Sequence, residues 1–228
     1  MDLRIAAEHL YQRPGIFASY REQINWTFLK PNIIKQYCRV SPLHVAAAFG
    51  QLTLFNDILQ RVESKFPLDG LGRSTLHYAA MNDHLNIYES IVATNGNILP
   101  ISTINLTIPP TTPLDMAVLN KSLKVCRYIV ENNQDPYPYG RLPEWTPLHE
   151  AAVRGHIEVY KIYMEKVADK NPLSGGFTPL HLAATCGHLE MCRLILENVN
   201  DKHPVTNHGR TPMDLAKNHP EILNLFTG

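Results

Sequence analysis

Histidine is the residue of this 228-residue chain with the most obvious capacity for chemistry, because imidazole titrates near neutral pH and binds metals. There are eleven histidines, and four of them end the same short phrase, Ser or Thr followed by two residues and His. Equivalent positions of repeated units lie side by side, whereas zinc ligands converge on one ion at about 2.0–2.1 Å. We therefore predict that these four side chains hydrogen-bond within their own turns and that the chain has no metal site. They are His44, His77, His149 and His181.

The other reactive residues show no catalytic arrangement. Glu150 and Glu158 are single carboxylates with no partner for acid–base catalysis. The chain has no nucleophile elbow, no phosphate-binding glycine loop and no HExxH motif. The four cysteines lack the paired spacings of metal or redox sites, so we expect them to be reduced. We predict a protein that is not an enzyme and has no cofactor.

The phrase that contains the histidines recurs, and it predicts the elements that hold them. Ser or Thr followed by Pro is typical of a helix start. An alanine pair, a glycine in three copies and an apolar pattern at helical spacing follow, which predicts a short helix, a tight turn and a longer helix. The start-to-start spacings are 33, 38, 34, 32 and 33 residues, a period typical of stacked units. The copies begin near Ser41, Ser74, Thr112, Thr146, Thr178 and Thr211.

The most regular copies resemble the ankyrin repeat. Residues 176–190 read GFTPLHLAATCGHLE, and residues 140–158 carry the same text around WTPLHEAA. The resemblance is specific because the text recurs six times in register. It implies an all-α fold, an ankyrin-repeat solenoid of stacked helix–turn–helix units joined by β-turn or hairpin loops.

The resemblance divides the chain into a leading segment and an array. Residues 1–40 are predicted to form an N-terminal helical cap or a degenerate first repeat. Residues 41–228 are predicted to form the array, with 211–228 as a truncated C-terminal cap whose outer face is polar. Capped ends predict a complete chain or a cleanly bounded domain.

Two middle copies depart from the pattern. Thr75 stands where Pro is usual, Asp115 stands where His is usual, and Asp83 and Lys121 replace the turn glycine. The loop at 94–111 is apolar and longer than the period requires, so we expect the stack to be least regular there. The loop either packs back on the array, which we favour because exposed apolar patches are uncommon, or projects as a finger that binds a partner.

Composition bounds the location and the partners. Acidic and basic residues balance at 21 each, so no field attracts nucleic acid or anionic membranes. No run of 18 apolar residues and no N-terminal apolar segment are present, so we predict neither a membrane span nor a signal peptide. We expect a monomer in the cytoplasm, with the nucleus as the alternative.

The resemblance implies a non-enzymatic module that binds a protein partner on a concave face of loop tips and first helices. The positions that the repeat does not need for folding lie before each Thr-Pro and after each alanine pair. They are rich in Trp, Phe, Met and Arg, as interface hot spots are. Together with two tyrosines of the loop before Trp145, the predicted partner-binding residues are Phe49, Arg73, Met81, Tyr137, Tyr139, Trp145, Val153, Arg154, Phe177, Thr185 and Arg210.

Three other functions remain as alternatives. The chain could be a recruiting adaptor subunit, or a segment of a larger signalling protein. It could be an inhibitor or effector that occludes an enzyme. An enzyme with an unrecognised N-terminal active site ranks lowest, because forty residues are too few for a substantial core of their own.

Overall fold

A computed structural model of the chain describes residues 40–62, 65–95, 112–133 and 145–227. Within these ranges it contains twelve helices and two isolated β-bridges, which confirms the all-α prediction. The predicted cap before residue 40, the loop residues 96–111, and the pair Tyr137 and Tyr139 lie outside the described residues.

The helices follow one another in pairs that are joined by tight turns. In unit order the pairs are α1 (Pro42–Ala48) and α2 (Leu52–Arg61), α3 (Thr75–Met81) and α4 (Leu85–Asn95), α5 (Pro113–Leu119) and α6 (Leu123–Asn132), α7 (Pro147–Arg154) and α8 (Ile157–Met164), α9 (Pro179–Cys186) and α10 (Leu189–Asn198), and α11 (Pro212–Leu215) and α12 (Pro220–Thr227).

The chain divides into two compact units, residues 1–116 and 117–228. In the first unit α1 packs against α2 and α3, α3 packs against α4, and α2 packs against α4. In the second unit α9 lies between α7 and α11, while α8 lies between α6 and α10 and α10 contacts α12. Each unit therefore has a layer of first helices and a layer of second helices.

Histidine side chains cap the first helices. In α9, the Thr178 N–H donates to Nδ1 of His181 at 3.2 Å, and the His181 N–H points back to Thr178 Oγ1 at 3.5 Å. The Ser41 N–H donates to Nδ1 of His44 at 3.0 Å in the same way. This arrangement is a capping box in which His replaces the usual Glu or Gln. The prediction that these histidines bond within their own turns is confirmed.

The second ring nitrogen makes a bond that the sequence did not predict. Nε2 of His44 lies 3.1 Å from the carbonyl oxygen of Arg73, and Nε2 of His181 lies 3.1 Å from that of Arg210. Since Nδ1 accepts from a backbone N–H, Nε2 carries the proton and donates to the carbonyl. Each of these side chains therefore joins its own helix start to the hairpin of the next repeat.

Aspartate reproduces only the first of these two bonds. The Thr112 N–H donates to Asp115 Oδ2 at 2.7 Å, and the Thr211 N–H donates to Asp214 Oδ2 at 2.9 Å. An ionised carboxylate only accepts hydrogen bonds, so it has no proton to donate to a carbonyl oxygen.

The glycine after the first helix is needed for its backbone and for its lack of a side chain. Gly155 has φ +66°, in the left-handed region, and a Cβ added there would lie 2.8 Å from Nδ1 of His188 in the following pair. Nε2 of that histidine lies 2.9 Å from the carbonyl oxygen of Val153. Asp83 and Lys121 keep the left-handed turn at φ 57° and 58°, although neither is glycine.

The core is built from alanine pairs and buried aromatic residues. Ala151 and Ala152 have no exposed surface, which lets neighbouring first helices approach closely, and Tyr160 and Tyr163 are fully buried behind them. Among the described cysteines, Cys126 and Cys192 are buried and Cys186 is exposed, all without disulfides. Across the described ranges, every helix is too short or too polar to span a membrane.

Candidate functional site

Arg73, which the sequence assigned to a partner-binding surface, lies inside the first unit. Its side chain is 8% exposed, and Nε and Nη2 donate to Asp69 Oδ2 at 2.9 and 2.7 Å. The Tyr78 hydroxyl donates to the same carboxylate oxygen at 2.8 Å. Burial alone would raise the pKa of Asp69, but hydrogen bonds and charge from Arg73 outweigh it and hold that pKa below its usual value. The positive charge of Arg73 is therefore paired with Asp69 inside the first unit.

Trp145 is held in place on the surface of the second unit. Its ring stacks on the buried ring of His149 with centroids 5.1 Å apart and an interplanar angle of 29°. Its Nε1–H donates to Glu150 Oε2 at 3.2 Å. The indole is thus fixed by one face and by its N–H, while part of the side chain remains accessible to solvent.

Glu150 also fixes a guanidinium group. Arg154 lies one helical turn further along α7, and its Nε donates to Glu150 Oε1 at 2.6 Å. The side chain of Arg154 is 42% exposed, whereas that of Glu150 is 14% exposed. One partly buried carboxylate therefore positions an aromatic ring and a cation on the same face of α7.

Phe177 occupies the position of Trp145 in the next repeat. Its backbone pairs with Ser174 through two hydrogen bonds of 2.8 Å, and its carbonyl oxygen accepts from Nε2 of His149 at 3.3 Å. Its ring meets that of His181 edge to face at 6.2 Å. Phe177 is half-buried, so the aromatic position recurs on the adjacent hairpin with a similar support.

The remaining predicted residues differ in exposure and in location. Val153 is half-buried and Thr185 is exposed at the equivalent place in α9, where Thr185 Oγ1 donates to the carbonyl of His181 at 2.8 Å. Arg210 is exposed in the loop before α11. Phe49 and Met81 are half-buried in the first unit. The second unit thus holds the larger group, which we call the Trp145 surface: Trp145, Glu150, Val153, Arg154, Phe177, Thr185 and Arg210.

Glu150 was missed as a site residue because it was judged as a catalytic carboxylate. Its spacing of four residues from Arg154 was the available signal, since Glu and Arg at this spacing lie on one helix face. Nothing in the sequence pattern indicated the bond from the Trp145 indole.

A groove in the second unit was also missed. It has a volume of about 570 Å³ and is lined by residues of the loops at 168–173 and 198–205 and by Thr178. Leu173 and Val205, at equivalent positions of the two loops, are 55% and 57% exposed. The signal was the recurring text DKNPLS and DKHPVT at 169–174 and 201–206. We call this the loop groove.

The buried histidines near the Trp145 surface, His149 and His181, have a structural role. Burial lowers the pKa of His149 to about 4, so the ring that supports Trp145 is neutral near pH 7. The pKa of His181 is lowered by burial as well. In the parts of the chain that the structure describes, no three His, Cys, Asp or Glu side chains are grouped as metal ligands.

Short capped helices, left-handed turns and histidines that reach the next hairpin define a helix–turn–helix repeat protein. The chain belongs to the ankyrin repeat family: the family model for ankyrin repeats in three copies matches residues 43–139 and 148–227. Ankyrin repeats are generally protein–protein interaction modules.

Solved structures share this fold at low sequence identity. An ankyrin repeat domain from Acinetobacter baumannii AYE has 23% identity and a TM-score of 0.65, covering 82% of this chain and 96% of its own. The ankyrin repeat domain of human ASB11 has 20% identity and a TM-score of 0.57, covering 82% of this chain and 97% of its own. A comparison with curated proteins gives no match.

Proposed function

We propose that the chain is a non-enzymatic binding module whose second unit captures a protein partner on the Trp145 surface. The observation that carries the proposal is the chain of contacts from Trp145 through Glu150 to Arg154. Trp and Arg are the residue types most enriched at interface hot spots. Here both are accessible, and both are tied to one carboxylate.

Fixed side chains favour binding because little conformational freedom remains to be lost. Ordering a mobile side chain at an interface costs about 0.5–1.5 kcal/mol. The His149 stack and the Glu150 hydrogen bonds already restrict Trp145 and Arg154 in the free protein. Phe177 is restricted by its hairpin, so three adjacent contacts start with a low ordering cost.

The exposed ion pair between Arg154 and Glu150 contributes little to the stability of the fold. Arg154 is 42% exposed, and helical ion pairs of this kind contribute about 0.3–0.5 kcal/mol. Removing Arg154 should therefore leave the thermal midpoint almost unchanged. This separates a binding role from a structural one.

The test is a quantitative pull-down with the double variant Trp145→Ala, Arg154→Ala. The matched control is Lys161→Ala, Arg193→Ala, which removes exposed cations from the second-helix layer of the same unit. We expect proteins that the wild type and the control capture equally, and that the double variant loses at least tenfold.

Thermal midpoints of all three proteins are measured alongside the pull-down. Capture that survives in the double variant would contradict the proposal. So would a loss of capture that occurs only together with a lowered thermal midpoint, because the effect would then be one of folding.

A further inference from the structure

We infer that the partner of the Trp145 surface docks an acidic peptide segment, with Asp or Glu flanking an apolar side chain. The inference rests on the proposed function and adds the chemistry of what is bound. It follows from how charges are distributed and used in the second unit.

The acidic groups on the first-helix layer are already engaged. Glu150 accepts from Trp145 with one oxygen and from Arg154 with the other. Asp214 Oδ2 accepts from the Thr211 N–H at 2.9 Å and from its hydroxyl at 2.8 Å. Hydrogen bonds from Thr211 lower the pKa of Asp214, with smaller effects of Lys217 and Arg210. A basic ligand would compete with these bonds for the same oxygens.

The cations of this layer retain donors. Arginine has five N–H donors in a planar fork, and Glu150 takes the one on Nε of Arg154. The two amino groups of this exposed side chain can hold a carboxylate end-on. Arg210 and Lys217 are exposed further along the same layer, beside the cap of α11.

On the second-helix layer, Lys161 and Arg193 lie beside acids of their own helices, and Lys124 and Lys166 are exposed cations as well. Lys161 Nζ lies 3.0 Å from Glu158, and Arg193 Nε lies 3.6 Å from Glu190. Glu197 and Glu221 are exposed there as well. The layer that carries the aromatic rings therefore also presents three exposed cations, Arg154, Arg210 and Lys217, beside acidic groups whose oxygens already accept hydrogen bonds.

The rings of Trp145 and Phe177 are the reason to expect an apolar side chain in the bound peptide. Trp145 and Phe177 precede Thr-Pro in consecutive repeats and are both accessible, so a strand-like segment can lie across them. An apolar side chain is expected to cover the rings while flanking carboxylates meet Arg154 and Arg210. Charge complementarity of this kind also steers encounter and makes the on-rate fall with ionic strength.

The test selects peptides from a displayed random 12-residue library on the full chain. Selected peptides are synthesised with a fluorescein label, and their affinities for the wild type and for Trp145→Ala are measured by fluorescence anisotropy. We expect Asp and Glu to be enriched beside an apolar residue. Replacing the acids by Asn and Gln should weaken binding at least tenfold.

Variants of the protein locate the charge effect. Arg154→Gln and Arg210→Gln should each weaken an acidic peptide severalfold and flatten its salt dependence. Arg193→Gln on the second-helix layer, and Leu173→Ser in the loop groove, should leave the affinity unchanged.

Failure of the inference differs from failure of the proposed function. Peptides that need Trp145 but show no acidic enrichment would overturn the inference and leave the proposed function standing. Peptides that bind independently of Trp145, or that need Leu173 instead, would overturn both.

Discussion

Nε2 of His149 lies 3.3 Å from the carbonyl oxygen of Phe177, which stands 28 residues further along the chain. Nδ1 of the same ring accepts from the Thr146 N–H at 3.1 Å, and its face supports the Trp145 indole. One neutral imidazole thus caps the start of α7, joins two repeats and supports a candidate binding residue.

Replacing His149 by Ala should destabilise the second unit by about 2–3 kcal/mol, the sum of a lost cap and a lost buried hydrogen bond. The free energy of unfolding is measured by urea titration followed by circular dichroism. The control His208→Ala removes an exposed histidine in the same unit and should change this free energy by less than about 0.5 kcal/mol. Similar losses in the two variants would contradict the assignment.

Stability should fall as the pH falls from about 6.5 towards 4. Burial lowers the pKa of His44 and of His149 to about 4 in the folded chain, while an unfolded histidine titrates near 6.5. Above the unfolded value both states are neutral, and below it the unfolded state binds the proton first. We expect His149→Gln to show a shallower pH dependence of unfolding free energy between pH 6.5 and 4.5. An equally steep dependence would refute the role of this ring.

Arg73→Ala should destabilise the first unit by about 3 kcal/mol, because it leaves the Asp69 carboxylate buried without its cation. Arg210→Ala is the matched control, since Arg210 holds the same register in a later repeat but is exposed. Its effect should stay within about 0.5 kcal/mol. Urea unfolding of both variants measures the difference, and comparable values would show that the Asp69–Arg73 pair contributes little.

Thr75→Pro should stabilise the first unit by about 0.5–1 kcal/mol through the unfolded state. Thr75 is the first residue of α3, and Ser74 before it has φ −86° and ψ 172°, which suits a residue preceding proline. Thr75 Oγ1 is also buried without a hydrogen-bond partner among the described residues. Thr75→Val, which replaces the hydroxyl by a methyl group and keeps the backbone N–H, separates the two contributions.

Thermal and urea unfolding of both Thr75 variants provide the measurement. A destabilising Thr75→Pro would mean that the N–H of residue 75 is needed. A neutral Thr75→Val would mean that the buried hydroxyl costs nothing.

The sequence predicted the helix pairs well because their signals are local. Thr178 before Pro179, the following alanines and Gly187 each act within one helix or turn, and the structure places them at the expected cap, contact and left-handed turn. The family resemblance added the hairpin loops.

The roles of surface residues were harder to predict because they depend on hydrogen bonds with residues outside the repeated motif. Arg73 and Arg210 share a register, yet Asp69 draws Arg73 inside, whereas Thr206 at the corresponding place offers only a hydroxyl to the Arg210 N–H. Trp145 was correctly placed before its helix, but its link to Glu150 depends on a side-chain direction that spacing does not give.

Each histidine after a turn packs on the turn of the preceding repeat, so the two residues must match at every boundary between repeats. His84 and His188 direct Nε2 at the carbonyl of the preceding pair and fill the Cβ space of Gly50 and Gly155. His156 follows Lys121 instead, and there Nδ1 faces the Val118 carbonyl at 2.9 Å. A repeat moved across the Lys121–His156 boundary would therefore lose the match between turn and ring unless both residues moved together. When repeats of this chain are recombined, the turn residue and the histidine that packs on it should therefore be kept together.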